Sequence, residues 1–359
     1  MNKVTFPLVG NYKIPAMYLF KHILDCEIIE PPPITKKTIE LGNANSPEFV
    51  CTPFKYTLGN YIEALEMGAN VVIQFGGGCR YGYYFELQEQ ILKDLGYKFK
   101  YVNFVTKGVT DLKKIYKDLK GINPKLKIDR LLYYSFITTK MLKYMDKCDD
   151  YIRQNIGFDS SGKLEKINLE MLEKFKNVKS FLNLNRIYRK YYRKLKNVKI
   201  NKPKNRLKIG IIGELYTVME PFANYYLERE LASHNIEIKR FTNAHYLLFE
   251  KKKKGLKYLK SAKKYIRYKM GADSHDNIGR CKYLCEKKYD GIIHIKSSFC
   301  TPEIGIMAII NKICKEYDVP VIFFSFDANT SEVGIKTRLE AFYDMIEMRK
   351  NNEKLLSRN

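Results

Sequence analysis

Two cysteines stand at positions where a thiol is favoured as an anion. Cys51-Thr-Pro and Cys300-Thr-Pro repeat one tripeptide, and a proline two residues after a cysteine is typical of the first turn of a helix. The cysteine then lies near the helix N-terminus, whose unpaired amides and dipole favour a thiolate. Because thiolates are the form of cysteine that binds soft metals, both loops are candidate metal-ligating sites.

A third cysteine, Cys79, follows the apolar run 71-VVIQF-75 and the glycines Gly76, Gly77 and Gly78. The run predicts a buried strand, and the glycines allow backbone amides to approach an anionic ligand closely. Together with the two Cys-Thr-Pro loops, this cysteine can supply three ligands to a [4Fe–4S] cluster and leave one iron open. Three ordinary buried cysteines are the alternative interpretation of the same spacing.

Other cysteines follow the apolar periodicity of helices. Cys281 and Cys285 share one helical face with Ile278, which predicts core packing, with a metal-binding pair as the alternative. Cys314 lies four residues after Ile310 on an apolar stripe and is also predicted to be core. No C-x2-C pair is present, which excludes zinc fingers and bacterial ferredoxin motifs.

Short apolar runs alternate with amphipathic ones in two parts of the chain, a pattern that predicts βαβ units and parallel sheets. We therefore predict an α/β protein with an N-terminal α/β domain over 1–110, a helical bridge or insert over 111–205, and a C-terminal α/β domain over 206–359. Strands are predicted at Val4–Val9, Cys26–Ile29, Val71–Phe75, Tyr97–Val105, 207–214, Ile236–Phe241, 291–295 and 319–324. A single helix is predicted over Tyr216–Leu231.

The bulk composition indicates a globular protein. The chain has 359 residues, 45% of them hydrophobic, and no apolar run approaches the roughly 20 residues needed to cross a bilayer. The N-terminal stretch is interrupted by Pro7, Gly10 and Pro15 and lacks the layout of a signal peptide. We expect a cytoplasmic protein that does not bind membranes.

The net charge of +25 admits a nucleic-acid partner. Lys-rich stretches at 193–208 and 251–269 carry the interleaved tyrosines Tyr258, Tyr265 and Tyr268 and form the alternative hypothesis of a nucleic-acid-binding module. No helix-turn-helix, RRM or zinc-finger signature supports it, and abundant lysine on solvated faces is the favoured explanation of the charge.

Several long runs carry a family resemblance: 31-PPPITKKTIELGNANSPEFVCTPFKYTLGNYIEALEMGA-69, GGGCRYGYYFELQEQIL, GIIGELYTVMEPFANYYLE, YDGIIHIKSSFCTPEIG and TSEVGIKTRLEAF. They resemble the superfamily of 2-hydroxyacyl-CoA dehydratase and benzoyl-CoA reductase components, in its branch that is similar to the 2-hydroxyglutaryl-CoA dehydratase D-component and associated with CoA activases. The resemblance is weak over about 111–205.

The resemblance implies two Rossmann-like domains with an iron–sulfur cluster in the cleft between them. Carried over residue by residue, its ligands are Cys51, Cys79 and Cys300. In such relatives an ATP-hydrolysing activase delivers one low-potential electron, which the cluster passes to a CoA thioester, giving a ketyl radical that can lose water. This chain has no P-loop and would therefore need a separate activase or a ferredoxin-type protein as its electron donor. The resemblance further implies that the protein works under anaerobic conditions and forms a homodimer or a heterodimer. A non-catalytic electron relay or activase partner is the alternative.

Polar residues beside the predicted loops are candidates for further roles. Arg80 can steady the charge of a cluster or anionic substrate, or form a salt bridge. Glu214 and Glu303 lie at strand-to-helix turns, where each can donate a proton or partner a helix dipole.

In the last loop, Asp327, Glu332 and Arg338 are candidate substrate-binding residues, with an interdomain ion pair as the alternative. His275, a lone histidine in a turn, is predicted to be structural or hydrogen-bonding rather than part of a metal site.

Overall fold

A computed structural model describes residues 2–75, 79–105, 111–268 and 270–356. The chain forms two compact units, each assembled from two separate segments. The first unit comprises Met1–Met145 and Leu169–Tyr191, and the second comprises Asp146–Asn168 and Tyr192–Asn359. Each unit contains a parallel four-stranded sheet, which confirms the predicted α/β fold class with two Rossmann-like sheets.

The sheet of the first unit consists of β1 Lys3–Thr5, β2 Glu27–Ile28, β3 Val71–Gln74 and β4 Lys100–Asn103. All pairs are parallel, in the spatial order β2-β1-β3-β4. The predicted first strand, Val4–Val9, ends early at Thr5, because Pro7 has no N–H to donate to a neighbouring strand.

Both faces of this sheet are covered. Val71 and Ile73 of β3 belong to one apolar cluster with Phe20, whereas Val72 belongs to a second cluster with Phe54. Side chains alternate between the faces of a strand, so a strand buried on both sides reads as a continuous apolar run. That is why the strand could be recognised from its sequence.

The helices wholly inside the first unit are α1 Lys13–Ile23, α2 Lys36–Ala44, α3 Thr52–Glu66, α4 Tyr84–Asp94 and α5 Leu112–Lys120. The next helices are α6 Ile128–Asn155, α7 Lys163–Lys176 and α8 Phe181–Lys196, and each has residues in both units. Among the described residues, no helix combines the length and apolarity needed to span a membrane.

The second unit repeats the strand order of the first. Its strands are β5 Lys208–Gly213, β6 Glu237–Arg240, β7 Gly291–Ser297 and β8 Val321–Phe326, arranged as β6-β5-β7-β8 with all pairs parallel. Its helices are α9 Leu215–Met219, α10 Leu227–Ser233, α11 Lys251–Lys254, α12 Leu256–Ala262, α13 Ser274–Glu286, α14 Thr301–Glu316 and α15 Glu332–Leu356. A π-helical turn covers Tyr246–Glu250.

The single helix predicted over Tyr216–Leu231 is wrong, because the chain breaks between α9 and α10. Glu220 precedes Pro221 and is extended, with φ −92° and ψ 108°. A residue before proline is driven out of the helical region by a clash with the proline ring. Tyr225 and Tyr226 then take left-handed φ values of 53° and 56°, which separates the two short helices.

Candidate functional site

The strand order defines one preferred ligand-binding edge in each unit. Parallel α/β sheets bind ligands beyond the carboxyl ends of their strands, where the strand order reverses. In the first unit that point lies between β1 and β3, and Cys79 follows β3. In the second it lies between β5 and β7, where Glu214 follows β5 and Cys300 follows β7.

Cys51 and Cys300 are the N-cap residues of α3 and α14, and each of these helices has a proline in its first two positions. Both cysteines are extended, with φ −72° and −79°, and neither side chain makes a capping hydrogen bond. Both are partly exposed. The positive ends of α3 and α14 therefore act on thiols that do not cap these helices themselves.

Cys79 caps a short 3-10 turn, Arg80–Tyr83, and its sulfur accepts a hydrogen bond from the Tyr81 amide at 3.5 Å. It is partly exposed, and Arg80 beside it is exposed. None of the cysteines forms a disulfide. The predicted cofactor-binding glycines, Gly76, Gly77 and Gly78, lie outside the described residues.

Tyr84 links two of the predicted ligands in the first unit. Its hydroxyl contacts the sulfur of Cys51, and its side chain is buried. Burial raises the pKa of Tyr84 well above its usual range; the negative charges of Cys51 and Cys79 raise it further, and Arg80 lowers it. The structure thus places the Tyr84 hydroxyl against Cys51 and within electrostatic reach of Cys79 and Arg80. This role of Tyr84 was not predicted, although a run of tyrosines follows Cys79 in the sequence.

Lys296 supplies a buried ammonium near the corresponding cysteine of the second unit. It is 4% exposed at the end of β7. Burial lowers the pKa of Lys296, whereas the negative charges of Cys300, Glu303 and Asp327 oppose that shift. The lysine within the otherwise apolar run 291-GIIHIKS-297 could have indicated a charged group at the site, but Lys296 was not among the predicted site residues.

Glu303 faces the interior of the second unit. One carboxylate oxygen lies 2.7 Å from Nε2 of His294, and the other accepts a hydrogen bond from Asn277 at 2.9 Å. Asn277 also donates to the carbonyl of Gly213 and accepts from Arg280. The side chains of His294, Asn277 and Arg280 are fully buried, so a buried chain of hydrogen bonds connects the first turn of α14 with β5 and α13. His294 was not among the site residues predicted from the sequence.

Glu214 caps α9. Its carboxylate accepts hydrogen bonds from the amides of Tyr216 at 2.8 Å and Thr217 at 2.9 Å. Burial raises the pKa of Glu214 and the charge of Glu303 adds to this effect, while the capping hydrogen bonds oppose it. These contacts are those of a partner for the helix N-terminus.

The three predicted substrate-binding residues have different surroundings. Asp327 follows β8 and accepts a hydrogen bond from Ser298 at 2.8 Å, which places it on the same edge as Cys300. Glu332 is exposed at the start of α15 and pairs with Lys336 at 3.2 Å. Arg338 is also exposed; its guanidinium lies over Phe324 and donates to the carbonyl of Phe323 at 2.8 Å.

The tyrosines of the Lys-rich segment differ in how much surface they offer for stacking. Tyr258 is buried against Phe241 and Tyr283, whereas Tyr268 is 79% exposed. Tyr265 is hydrogen-bonded to Glu316 at 2.8 Å.

Two parallel-sheet units with cysteines at the N-caps beyond their strands define a cysteine-bearing α/β protein. The family described as 2-hydroxyglutaryl-CoA dehydratase, D-component, matches residues 34–346, and the chain belongs to that family. This confirms the family predicted from the quoted sequence runs. No curated protein matches the chain significantly.

Proposed function

We propose that the chain is an iron–sulfur redox protein in which Cys51, Cys79 and Cys300 hold a [4Fe–4S] cluster. The observation that carries the proposal is their shared setting: each is a partly exposed N-cap residue, where backbone amides favour thiolate. Membership of the dehydratase D-component family supports it. Gly76, Gly77 and Gly78 remain the proposed source of further amides near the cluster.

A bound cluster of this type supplies one-electron transfer at a potential set by hydrogen bonds, charge and solvent exposure. The chain contributes groups that can adjust this reduction potential. The Tyr84 hydroxyl meets the sulfur of Cys51, and the Lys296 ammonium lies within electrostatic reach of Cys300. Arg80 is close enough to act on Tyr84, and we propose that it balances the negative charge of the cluster or of an anionic substrate.

The proposed reaction is the single-electron reduction of a substrate such as an acyl-CoA thioester in an anaerobic cytoplasm. The electron comes from a separate ATP-hydrolysing activase or ferredoxin-type donor, since the sequence has no P-loop. Asp327 is the best placed of the proposed substrate contacts, because it shares an edge with Ser298 and Cys300. Glu332 and Arg338 remain proposed contacts from the exposed face of α15.

A non-catalytic electron relay or activase partner is the second candidate function. It is favoured by the contacts of the two proposed proton donors. Glu214 caps α9, and Glu303 is held by His294 and Asn277, so both carboxylates are engaged within the protein. A relay would need neither of them as an acid or base.

Purification without air tests the cluster. We expect brown protein with about four irons and four sulfides per chain and an electron paramagnetic resonance signal on reduction. Folded, colourless, iron-free protein would exclude the proposal. Turnover of acyl-CoA thioesters with an added activase then separates the two functions, because a relay accepts the electron without consuming substrate.

A further inference from the structure

A second group of cysteines lies inside the second unit, away from the loops described above. Cys281 and Cys285 are one turn apart on α13, and Cys314 lies near the end of α14. The Cys281 and Cys314 sulfurs are 3.6 Å apart, and all three sulfurs lie within 4.8 Å of one another. The side chains are 0%, 4% and 1% exposed, respectively.

This spacing matches three ligands around one ion. Three sulfurs each about 2.3 Å from a central ion stand about 3.8–4.0 Å apart, so shifts of less than about 1 Å would close the group around it. The spacing does not match a cubane cluster, whose ligand sulfurs bind different irons and stand farther apart. The group is thus distinct in kind from the proposed ligands Cys51, Cys79 and Cys300.

The surroundings select the class of ion. Within the part of the chain that the structure describes, no histidine or carboxylate belongs to the group. Its neighbours are the apolar side chains of a buried cluster that includes Ile278, Leu284, Ile306, Ile310 and Ile313. Sulfur-only coordination favours soft cations over Mg²⁺, Ca²⁺ or Mn²⁺.

We propose that Cys281, Cys285 and Cys314 form a three-thiolate site for one soft d10 cation, Zn²⁺ or Cu⁺. Each thiol that binds releases its proton to solvent, so the ion replaces protons and offsets the negative charge buried with the sulfurs. Without the ion, the three thiols pack as small apolar groups, so the helices remain in place. The site requires no iron–sulfur cluster and stands independently of the proposed function.

The test uses the full-length chain carrying Cys51→Ala, Cys79→Ala and Cys300→Ala, which removes the proposed cluster ligands. Under anaerobic conditions it is titrated separately with Zn²⁺, Cu⁺ and the spectroscopic probe Cd²⁺. We expect one ion per chain, a sulfur-to-cadmium charge-transfer band, and a rise in Tm of roughly 5–10 °C at a hundredfold excess over Kd. Competition between Zn²⁺ and Cu⁺ identifies which ion the site prefers.

Further variants in that background assign the ligands. Cys281→Ala, Cys285→Ala and Cys314→Ala should each weaken binding by more than about 100-fold, beyond the effect typical of outer-shell partners. Cys148→Ala is the matched control, because Cys148 is fully buried and outside the group, and it should bind normally.

X-ray absorption of the zinc-loaded or copper-loaded background protein provides a readout that does not depend on the folding of these variants. Three sulfur neighbours are expected. An absence of stoichiometric binding, a shell dominated by nitrogen and oxygen, or binding that survives Cys281→Ala with Cys285→Ala would overturn the proposal.

Discussion

The cysteines of this protein occur in two contrasting environments. Cys51, Cys79 and Cys300 are partly exposed N-cap residues in loops that carry amides, a tyrosine and a buried lysine nearby. Cys281, Cys285 and Cys314 are buried between two helices among isoleucines and leucines. Placement decides what a thiol can do: the first setting suits an anionic cluster in contact with a partner, and the second suits one enclosed ion.

The largest expected effect is a separation of metal content between the two sets. Cys300→Ala should remove nearly all cluster iron and leave the cadmium-binding site intact, because its helix loses only the cluster ligand. Cys314→Ala should abolish cadmium binding at the enclosed site and leave the cluster iron in place. Iron and sulfide analysis with cadmium titration measures both. Equal loss of iron from both variants would show that the two environments are not functionally separate.

The next largest effect concerns the buried hydrogen bonds beside Cys300, which have no counterpart in the apolar surroundings of Cys285. Glu303→Ala should lower the free energy of unfolding by about 3 kcal/mol, because it leaves the buried His294 and Asn277 without their partner. Cys285→Ala, in the apolar setting, should cost about 1 kcal/mol. Urea unfolding followed by circular dichroism compares them, and equal costs would contradict the contrast.

A smaller effect is expected at the tyrosine that meets Cys51. Tyr84→Phe should cost about 1 kcal/mol of stability and hasten bleaching of the cluster in air, because the sulfur loses its hydroxyl contact. Tyr83→Phe is the control, since Tyr83 is 53% exposed. Identical bleaching rates for the two variants would exclude a role for the hydroxyl.

The smallest effect is a pH dependence at Glu214. Its pKa is raised in the folded state, so its contribution to stability is complete below the unfolded pKa near 4.3 and is lost as pH rises through the folded value. Glu214→Gln should therefore become progressively more stable relative to wild type as the pH is raised from about 4 to about 7, because only the wild-type carboxyl has to give up its proton in the folded state. Unfolding midpoints across that range provide the measurement, and a constant difference would contradict the assignment.

Much of the fold was predictable because local patterns determine it. The buried strands β3 and β7 read as apolar runs, and the proline after each Cys-Thr pair predicted the starts of α3 and α14. The break at Pro221 also has a local cause, which is the proline itself. The apolar periodicity on either side of Pro221 nevertheless led to the prediction of one continuous helix.

The surroundings of the cysteines depend on contacts between distant residues, which periodicity does not specify. The apolar stripe predicted that Cys314 is buried, but not that its sulfur meets Cys281 from another helix. Likewise, a histidine in β7 revealed nothing about Glu303 in α14 until the strand and helix were packed together. Sequence patterns show which side is buried, and tertiary packing decides which groups meet there.

The discontinuity of the two units has a consequence for synthesis on the ribosome. The first unit includes Leu169–Tyr191, so its full set of segments exists only after the chain has been made past Asp146–Asn168, which belongs to the second. All four strands of the N-terminal sheet emerge early, since the last one ends at Asn103, but the helical segment Leu169–Tyr191 can join the unit only after residues of the other unit have emerged. A nascent chain halted near Met145 would expose apolar surface to chaperones and proteases. A protein truncated at that residue would likewise contain an incomplete first unit.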